Sequence, residues 1–486
     1  MTDKIPTQDI TPDPGQAVDA TKAQAASQTD NEASGSLYAK RKHIYVRLVK
    51  GVFQKLRTRS NWLLLLGYFF AAWIQWDGRQ AILFDLPNRQ FHIFGITFFP
   101  HDFMLLAWLL IISAFALFFI TNFAGRVWCG YACPQSVWTW LFIWIEDKTE
   151  GSRNQRIKLD QQPMDKTKLK RKASKHALWL LAALLTAIAF VGYFSPIREL
   201  LPRILSFDLG PWEAWWLGFF TLFTYLNAGW LREQVCIYMC PYARFQSVMF
   251  DQDTLIVSYD PRRGEPRGAR KKSIDPKTAG LGDCIDCNLC VHVCPVGIDI
   301  RDGLQYECIT CAACIDACDT VMEQMGYQKG LISYTTEQEL EGNTTKLLRP
   351  RLIGYFAVLM GMIIAFMIAL GGRVPMEVEV LRDRNQLFRE TAEGFIENNY
   401  TIKIANMDQK PHTYALSVSG VEGLRIQGKH QVTLEAGEVL NLPIQLVVDP
   451  KDLQAPSYDV LVQVASVDDT SIYSEKETRF ISEVRR

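Results

Sequence analysis

Five segments of the chain are apolar and carry no charged side chain, which predicts membrane-spanning helices. They are residues 60–76, 103–121, 177–194, 214–231 and 352–372. About 20 apolar residues span the hydrocarbon core of a bilayer, with a lower limit near 17. The first segment is therefore marginal, although Arg59 and its Trp side chains suit a membrane interface. The pattern predicts a five-span α-helical bundle.

A sixth uncharged stretch, residues 127–145, is interpreted from the distribution of basic residues. Lys and Arg are concentrated before the first apolar segment, within residues 147–176 and within the long segment 232–351. Basic loops are retained on the cytoplasmic side of a membrane. Five spans place all three basic regions in the cytoplasm and the C-terminus outside. A sixth span at residues 127–145 would instead place the basic loop that follows it, residues 147–176, on the opposite side of the membrane. We therefore expect residues 127–145 to be re-entrant or interfacial.

The two ends of the chain differ from its apolar middle. Residues 1–39 are polar and lack apolar periodicity, which predicts a disordered N-terminus without a cleavable signal peptide. From about residue 374 apolar positions alternate with a period of two, and turn residues separate about seven short strands. This predicts an all-β immunoglobulin-like sandwich. The region has no cluster of catalytic residue types, so we expect it to serve in docking.

Charge and cysteine content narrow the class of protein. The 486 residues include 52 basic and 52 acidic ones, and this balance does not favour a nucleic-acid-binding protein. All 12 cysteines lie between residues 129 and 318. A secreted disulfide scaffold would instead distribute its cysteines through a small domain. The composition indicates a membrane protein that carries a metal-cluster module.

Eight of the cysteines form two runs typical of bacterial two-cluster ferredoxins. Both runs follow C-x₂-C-x₂-C-x₃-C, in which the fourth cysteine ligates the other cluster. The expected ligands are Cys284, Cys287, Cys290 and Cys318 for the first 4Fe–4S cluster and Cys308, Cys311, Cys314 and Cys294 for the second. A pair of structural zinc sites is the alternative, but it does not explain the duplicated run. Asp319 stands where the motif usually has Pro, which leaves the ligands unchanged.

The remaining cysteines form an internal repeat of the pattern CxxxCP. Its two copies are residues 129–134, after the second apolar segment, and residues 236–241, after the fourth. Pro favours the first turn of a helix, so the second cysteine of each copy is expected at a helix N-terminus, where the helix dipole lowers a thiol pKa. Thiolates select Cu(I), and paired thiols can undergo redox exchange. The candidate catalytic and copper-binding residues are therefore Cys129, Cys133, Cys236 and Cys240.

Two questions about these four cysteines stay open. They could be inert packing residues, because membrane-proximal cysteines often are. The sequence also does not decide whether the two pairs meet in one site.

These features divide the chain into five parts. We expect a disordered cytoplasmic N-terminus (1–39), a membrane domain with four spans and both CxxxCP motifs (40–251), a cytoplasmic ferredoxin module of α+β type (252–350), a fifth transmembrane helix (351–373) and a periplasmic β domain (374–486).

With these motifs the chain resembles the cytochrome c oxidase accessory proteins CcoG, also called FixG or RdxA, of the proteobacterial inner membrane. The resemblance covers nearly all of residues 40–486 and includes the stretch 294–334 around the cysteine runs. It implies reduction of Cu(II) to Cu(I) for assembly of cbb3-type cytochrome oxidase, with copper as the substrate. It also implies that the oxidase assembly machinery and copper transporters are partners, and that the protein resides in the bacterial inner membrane.

Three functions are compatible with the residues themselves. In a cupric reductase, an electron from an unidentified donor would pass through the 4Fe–4S pair to Cu(II) beside the four CxxxCP cysteines. A quinol dehydrogenase-type membrane ferredoxin would need a quinone pocket between the spans. A non-catalytic assembly scaffold would use its clusters structurally and its β domain for docking.

Overall fold

The computed structural model describes residues 43–482 except 77, 277, 279, 347, 373, 384, 385 and 409. The predicted disordered N-terminus, residues 1–39, lies outside the described residues. Residues 43–45 are the described end of a separate N-terminal unit and form neither helix nor strand. The second unit begins at Val46.

The first half of this unit is mainly helical. In chain order its helices are α1 (Val52–Ala71), α2 (Phe103–Ala124), α3 (Val127–Tyr131), α4 (Pro134–Thr149), α5 (Arg153–Gln161), α6 (Lys166–Val191), α7 (Ile197–Leu205), α8 (Pro211–Thr224) and α9 (Pro241–Met249). Two π-helical segments, Tyr225–Leu231 and Val235–Met239, lie between α8 and α9. Short antiparallel strands connect α1 to α2: β1 (Gln75–Trp76), β2 (Arg79–Gln80), β3 (Ile82–Asp85), β4 (Gln90–Ile93) and β5 (Ile96–Phe98).

The second half contains the cysteine runs, one long helix and a β domain. Its helices are α10 (Pro261–Gly264), α11 (Leu289–Val293), α12 (Ala313–Met325), α13 (Glu337–Glu341) and α14 (Pro350–Gly371). Strands β6 (Ile256–Tyr259) and β7 (Ile332–Thr335) pair antiparallel and flank the region of the cysteine runs. This small sheet together with α11 and α12 gives that region the predicted α+β character.

Helices α2, α6 and α14 are long and apolar enough to cross a membrane. They correspond to the predicted spans 103–121, 177–194 and 352–372. The predicted spans 60–76 and 214–231 are not confirmed.

The two unconfirmed segments form shorter helices than predicted, each for a different reason. Helix α1 begins with a basic turn and ends at Ala71, so its uncharged part is only about 18 Å long at 1.5 Å per residue, against a core of about 30 Å. Helix α8 has 14 residues and continues beyond Thr224 only as the first π-helical segment.

Residues 127–145 form α3 and most of α4. The side chains of Trp140, Phe142 and Ile143 are buried, and Phe142 packs on Trp179 of α6 with ring centroids 5.4 Å apart. The segment therefore belongs to the packed helical core, and its re-entrant or interfacial position stays a prediction.

Helices α2 and α14 pack along each other and lie between the cysteine-rich region and the β domain. At the start of α14, Arg349 donates a hydrogen bond to the carbonyl oxygen of Asn122 near the end of α2. At the start of α2, Phe99 forms an apolar cluster with Ala405 and Met407 of the β domain. The cysteine-rich region and the β domain therefore lie at opposite ends of this helix pair.

The β domain is a sandwich of two antiparallel sheets. Its strands are β8 (Met376–Arg382), β9 (Arg389–Glu390), β10 (Ile396–Asn406), β11 (His412–Ser419), β12 (Arg425–Gln427), β13 (Gln431–Leu434), β14 (Val439–Val448), β15 (Ser457–Ser466) and β16 (Tyr473–Ile481). One sheet has the order β12-β14-β10-β8 with β9 on β10, and the other has the order β13-β11-β15-β16. Alternate residues such as Ile402, Tyr414, Val462 and Phe480 fill the core between the sheets. The all-β prediction is confirmed, with two short strands added.

A buried ion network joins the helices of the membrane-proximal region. Glu146 of α4 is paired with Arg156 of α5 at 3.0 Å, with Arg232 at 2.6 Å and with Lys175 of α6 at 3.7 Å. Burial alone would raise the pKa of Glu146, but Arg232, Lys175 and Arg156 together hold it below its usual range. The carboxylate is therefore ionised and holds α4, α5, α6 and the end of the first π-helical segment together.

Replacing Glu146 by Gln is expected to lower the free energy of unfolding by about 3–5 kcal/mol, because it leaves buried cations without their counter-charge. Chemical denaturation of the detergent-solubilised protein, followed by circular dichroism, measures the change. The matched control is E323Q, since Glu323 pairs with Lys329 at 3.2 Å on the surface, where such a pair contributes about 0–1 kcal/mol. Equal effects of the two substitutions would contradict the role given to Glu146.

Candidate functional site

The eight cysteines of the two runs surround two cavities. Cys284, Cys287, Cys290 and Cys318 line the first cavity, and Cys294, Cys308, Cys311 and Cys314 line the second, which Cys290 also borders. Each cavity encloses about 360 Å³ of empty space. The fourth cysteine of each run thus lies with the first three of the other run, the arrangement expected for two cubane clusters.

The loops around both cavities share an unusual backbone conformation. The second and fourth residues after the first cysteine of each run have left-handed φ angles, 51° and 56° at Asp286 and Asn288 and 48° and 59° at Thr310 and Ala312. Such conformations cost energy in residues other than Gly and are typical of functional sites. Alternating left- and right-handed residues form concavities of backbone N–H groups that bind anions. The N–H of Thr310, for example, donates to the sulfur of Cys308 at 3.4 Å.

This geometry fits a 4Fe–4S cluster in each cavity better than zinc. A zinc site needs four ligands about 2.0–2.3 Å from a single point. In the described part of the chain no three His, Cys, Asp or Glu side chains are arranged as ligands of one ion. A cubane instead takes one thiolate on each of four irons, which suits thiols placed around a cavity. The individual ligand assignments stay predictions.

Two thiols of these runs, Cys294 and Cys318, illustrate how burial raises the pKa. Burial, followed by the neighbouring sulfur of Cys311, raises the pKa of Cys294 to about 12. Burial, followed by Cys290, raises the pKa of Cys318 to about 12 as well. Cluster binding must therefore displace protons, because only thiolates ligate iron.

The CxxxCP motifs have the predicted relation to the helices. Cys133 directly precedes α4, which begins at Pro134, and Cys240 directly precedes α9, which begins at Pro241. This part of the prediction is confirmed.

The expected lowering of the thiol pKa at these helix ends is wrong for Cys133. Burial raises the pKa of Cys133, and hydrogen bonds from the backbone of Ser136 and Gln135 offset this only in part. Burial and the adjacent Cys133 raise the pKa of Cys129 to about 11, and burial and the other three thiols raise that of Cys236 to about 12. For Cys133, desolvation therefore outweighs the hydrogen bonds from the first turn of α4.

The structure brings the two CxxxCP pairs into one neighbourhood, which we call the thiol quartet (Cys129, Cys133, Cys236 and Cys240). The charge of each of the other three thiols would act on Cys236. The quartet is not a preformed single-ion site, however, so side chains must move when a metal binds. The Cys129 thiol donates to the side-chain oxygen of Gln246 at 3.5 Å.

Two glutamine side chains form hydrogen bonds that connect the two copies of the CxxxCP repeat. Gln246 of α9, after the second motif, donates to the hydroxyl of Thr121 at 3.3 Å, near the end of the helix before the first motif. Gln135 of α4, after the first motif, donates to the carbonyl oxygens of Asn227 at 3.0 Å and Arg232 at 3.1 Å, before the second motif. Each Gln thus fixes the helix end that leads into the other motif. In the sequence, the repeated Gln-Ser-Val was the signal that could have indicated these reciprocal hydrogen bonds.

The first motif of the quartet lies against the second cavity. A Cβ atom on Gly130 would lie 2.7 Å from the carbonyl oxygen of Ile309 and 3.0 Å from the Cα atom of Cys311. Cys129 also packs in the apolar cluster that contains Cys311 and Cys294. Gly130 permits this close approach of the first motif to the backbone of Ile309 and Cys311 because it has no side chain.

Asp316, between two predicted ligands, is a functional residue that sequence reasoning missed. Its carboxylate accepts hydrogen bonds from the backbone N–H groups of Phe53 at 3.3 Å and Gln54 at 2.7 Å, and so caps α1 from α12. Asp319, which replaces the usual Pro, accepts from the N–H of Gly330 at 2.9 Å. The first contact positions the second cysteine run on α1, and the second lies within the cysteine-rich module.

Substituting Gly130 by Ala is expected to separate the first CxxxCP motif from the second cavity and to cost about 1–3 kcal/mol through overpacking. Iron and sulfide content should fall from two clusters per chain towards one, which chemical analysis measures. The control is I237A, at the matching position of the second motif, where the half-buried side chain can be shortened without closing a backbone contact. Full iron content in G130A would argue against the close approach.

Alkylation of the copper-free, cluster-containing protein with iodoacetamide should reveal the raised pKa values. Because Cys129 has a pKa of about 11 instead of 9.0, its thiolate fraction keeps increasing as the pH rises through 9 and 10. Its rate constant should therefore still rise where that of glutathione has levelled off, as peptide mass spectrometry would measure. A rate that levels off near pH 9 would show an ordinary thiol.

Profiles of three known families match this chain. The 4Fe-4S dicluster domain matches residues 231–337, a 4Fe-4S binding domain matches residues 106–148, and the IG-like fold at the C-terminal of FixG matches residues 366–483. The first two include both CxxxCP motifs as well as the ferredoxin runs. They support iron–sulfur clusters as cofactors, and the third agrees with the β sandwich.

Curated relatives match over most of the chain. "Nitrogen fixation protein FixG" of Rhizobium meliloti is 37% identical over 85% of this chain and 86% of its own length. "Protein RdxB" and "Protein RdxA" of Cereibacter sphaeroides are 41% and 39% identical over 85% of this chain and 90% and 88% of their own lengths. A FixG-related crystal structure from Vibrio parahaemolyticus is 35% identical over 23% of this chain and 98% of its own, with a TM-score of 0.21. The chain belongs to the FixG/RdxA family of iron–sulfur proteins, and its apolar helices indicate association with a membrane.

Proposed function

We propose that this protein transfers electrons one at a time to Cu(II) at the thiol quartet and releases Cu(I) for assembly of cbb3-type cytochrome oxidase. The observation that carries the proposal is the contact between the first CxxxCP motif and the second cavity at Gly130 and Cys311. A metal held at the quartet would lie next to a cluster held by Cys308, Cys311, Cys314 and Cys294.

The residues of the chain have separate roles in this reaction. Two 4Fe–4S clusters, when bound, supply one-electron redox chemistry, and the eight cysteines of the runs are their ligands. The thiols of Cys129, Cys133, Cys236 and Cys240 bind the substrate and favour Cu(I), because soft thiolate ligands stabilise that ion. One electron converts Cu(II) to Cu(I), each ligating thiol gives its proton to solvent, and a low-potential one-electron carrier of the cytoplasm restores the electron. Gln246 holds the Cys129 thiol through its S–H group until the metal displaces that proton.

The same proposal includes the topology. The membrane domain (40–251) and the fifth span (351–373) would place the ferredoxin module (252–350) in the cytoplasm and the β domain (374–486) in the periplasm of the inner membrane. Two observations support it: these modules lie at opposite ends of α2 and α14, and basic residues surround the cysteine-rich end. The periplasmic sandwich would then be free to dock the oxidase assembly machinery and copper transporters.

A cavity beside Cys236 favours the quinol dehydrogenase as a second candidate. It lies between α1, α4 and the second cysteine run, and is lined by Trp140, Gln135, Arg57 and Ile309 among others. Apolar walls with a few polar groups suit a quinone ring. This cavity lies at the junction with the ferredoxin module, whereas the quinone pocket was expected between the spans.

Adding Cu(II) to the dithionite-reduced full-length protein without oxygen should restore the visible absorbance of the clusters. One Cu(I) per electron should appear, as a Cu(I)-specific chelator reports. In the variant C129S/C133S/C236S/C240S the rate should fall by at least about tenfold, because Ser does not stabilise Cu(I), while the iron content stays at two clusters.

The control is M239L, since Met239 of the second motif is 59% exposed and we expect no ligand role for it. Equal rates in the wild type and the quadruple variant would mean that the thiols are not the site of copper reduction. A parallel run with a soluble quinone separates the second candidate, which predicts reoxidation by quinone and not by copper. Reoxidation by neither would favour the scaffold.

A further inference from the structure

Arg126 is a buried cation without a counter-ion. It lies between α2 and α3, is 3% exposed, and donates one hydrogen bond, to the carbonyl oxygen of Ala243. Its Nε–H group is buried and has no hydrogen-bond partner. Among the residues that the structure describes, no carboxylate forms an ion pair with it.

Arg232 occupies the related place before the second motif, and its environment is different. It is 5% exposed, but it pairs with Glu146 at 2.6 Å, and its Nε–H donates to the carbonyl oxygen of Gly229 at 2.9 Å. A buried arginine thus precedes each motif, and within the described part of the chain Arg232 pairs with a carboxylate whereas Arg126 does not.

Besides the hydroxyl of Tyr242, the groups whose charge acts most on the guanidinium of Arg126 are four thiols. They are Cys129, Cys308, Cys236 and Cys240. Three of these thiols belong to the thiol quartet, and Cys308 lines the second cavity. Because an unpaired buried charge is strongly unfavourable, a negatively charged cluster in the second cavity would compensate Arg126.

The arginine beside the first cavity is already neutralised. Arg301 lines that cavity, and pairs with Asp286 and Asp299, each at 2.5 Å. Among its predicted ligands, Cys290 is influenced first by Arg301 and then by Asp299, and Cys318 is influenced by Asp319. The first cavity thus lies beside a cation that is paired with two carboxylates, whereas the second lies near a cation that has no ion pair among the described residues.

We propose that Arg126 is a positioning residue whose charge holds the second cluster at a less negative potential than the first. The inference rests on the proposed function in that it takes both clusters and the quartet as one relay. Reduction adds one negative charge to a cluster and neither forms nor breaks a bond. An unpaired positive charge nearby stabilises the reduced form, and a neutralised one does so much less. The electron is then favoured at the cavity that borders the quartet.

The test is a redox titration of the intact protein, monitored by electron paramagnetic resonance. Two resolved potentials are expected in the wild type. In R126Q the less negative potential should shift to more negative values, and the other should stay in place. R126K should restore most of the shift, because it keeps the charge, and R232Q should leave both potentials unchanged, because its charge is balanced by Glu146. In R301Q the more negative potential should move instead.

Several outcomes would overturn the inference. They are unchanged potentials in R126Q with full iron content, the same signal shifted by R126Q and R301Q, or an equal shift in R126Q and R232Q. If R126Q fails to keep its clusters, single ligand substitutions in the otherwise wild-type protein assign the two signals to the two clusters. C308S must then alter the less negative signal and C318S the more negative one, and the reverse order would refute the proposal. Copper is absent from these titrations, so a failure of copper reduction would leave this inference standing, and an unshifted potential would leave the copper result standing.

Discussion

The backbone contact at Gly130 is the constraint on which the rest of the site depends. Because this residue has no side chain, the first CxxxCP motif approaches the loop from Ile309 to Cys311 to within ordinary contact. Arg57 strengthens the junction, since its Nε–H donates to the carbonyl oxygen of Gly130 at 3.0 Å. Asp316 adds a second link by capping α1. The membrane-proximal helices and the cysteine runs are therefore held in a fixed relation, which a short-range electron transfer requires.

Charge compensation explains why the surrounding residues are placed as they are. Several cations near the helices are paired with carboxylates: Glu146 pairs with Arg156, Lys175 and Arg232, and Glu150 pairs with Lys172 and Lys175. Around the quartet and the second cavity the negative groups are thiols, whose charge depends on whether metal is bound. Burial raises the pKa of the Cys129 and Cys236 thiols there. In the proposed reaction, metal binding would therefore change the charge of this part of the protein.

The sequence was informative wherever a local pattern determines the structure. Uninterrupted apolar runs predicted α2 and α14, alternation predicted the β sandwich, and the spacing of the cysteines predicted how they divide between two cavities. Two of the predicted spans are not confirmed, and one pKa prediction is wrong. The apolar run 60–76 did not reveal that the helix would begin in a basic turn, and nothing local marked the change to π-helix after Thr224. The pKa of Cys133 depends on burial by elements distant in sequence, so the helix-end argument gave the wrong sign.

The two copies of the CxxxCP repeat differ in their residues and in their neighbours. The first copy has Gly130 and an uncompensated Arg126, and it contacts the second cavity. The second copy has Ile237 and a compensated Arg232, and its Tyr238 and Met239 are 68% and 59% exposed. In the proposed reaction the electron therefore reaches the quartet through the first copy, while the second copy lies on the exposed side. A symmetric pair of motifs would give both copies the same neighbour, whereas here the quartet has one side towards the second cavity and one exposed side.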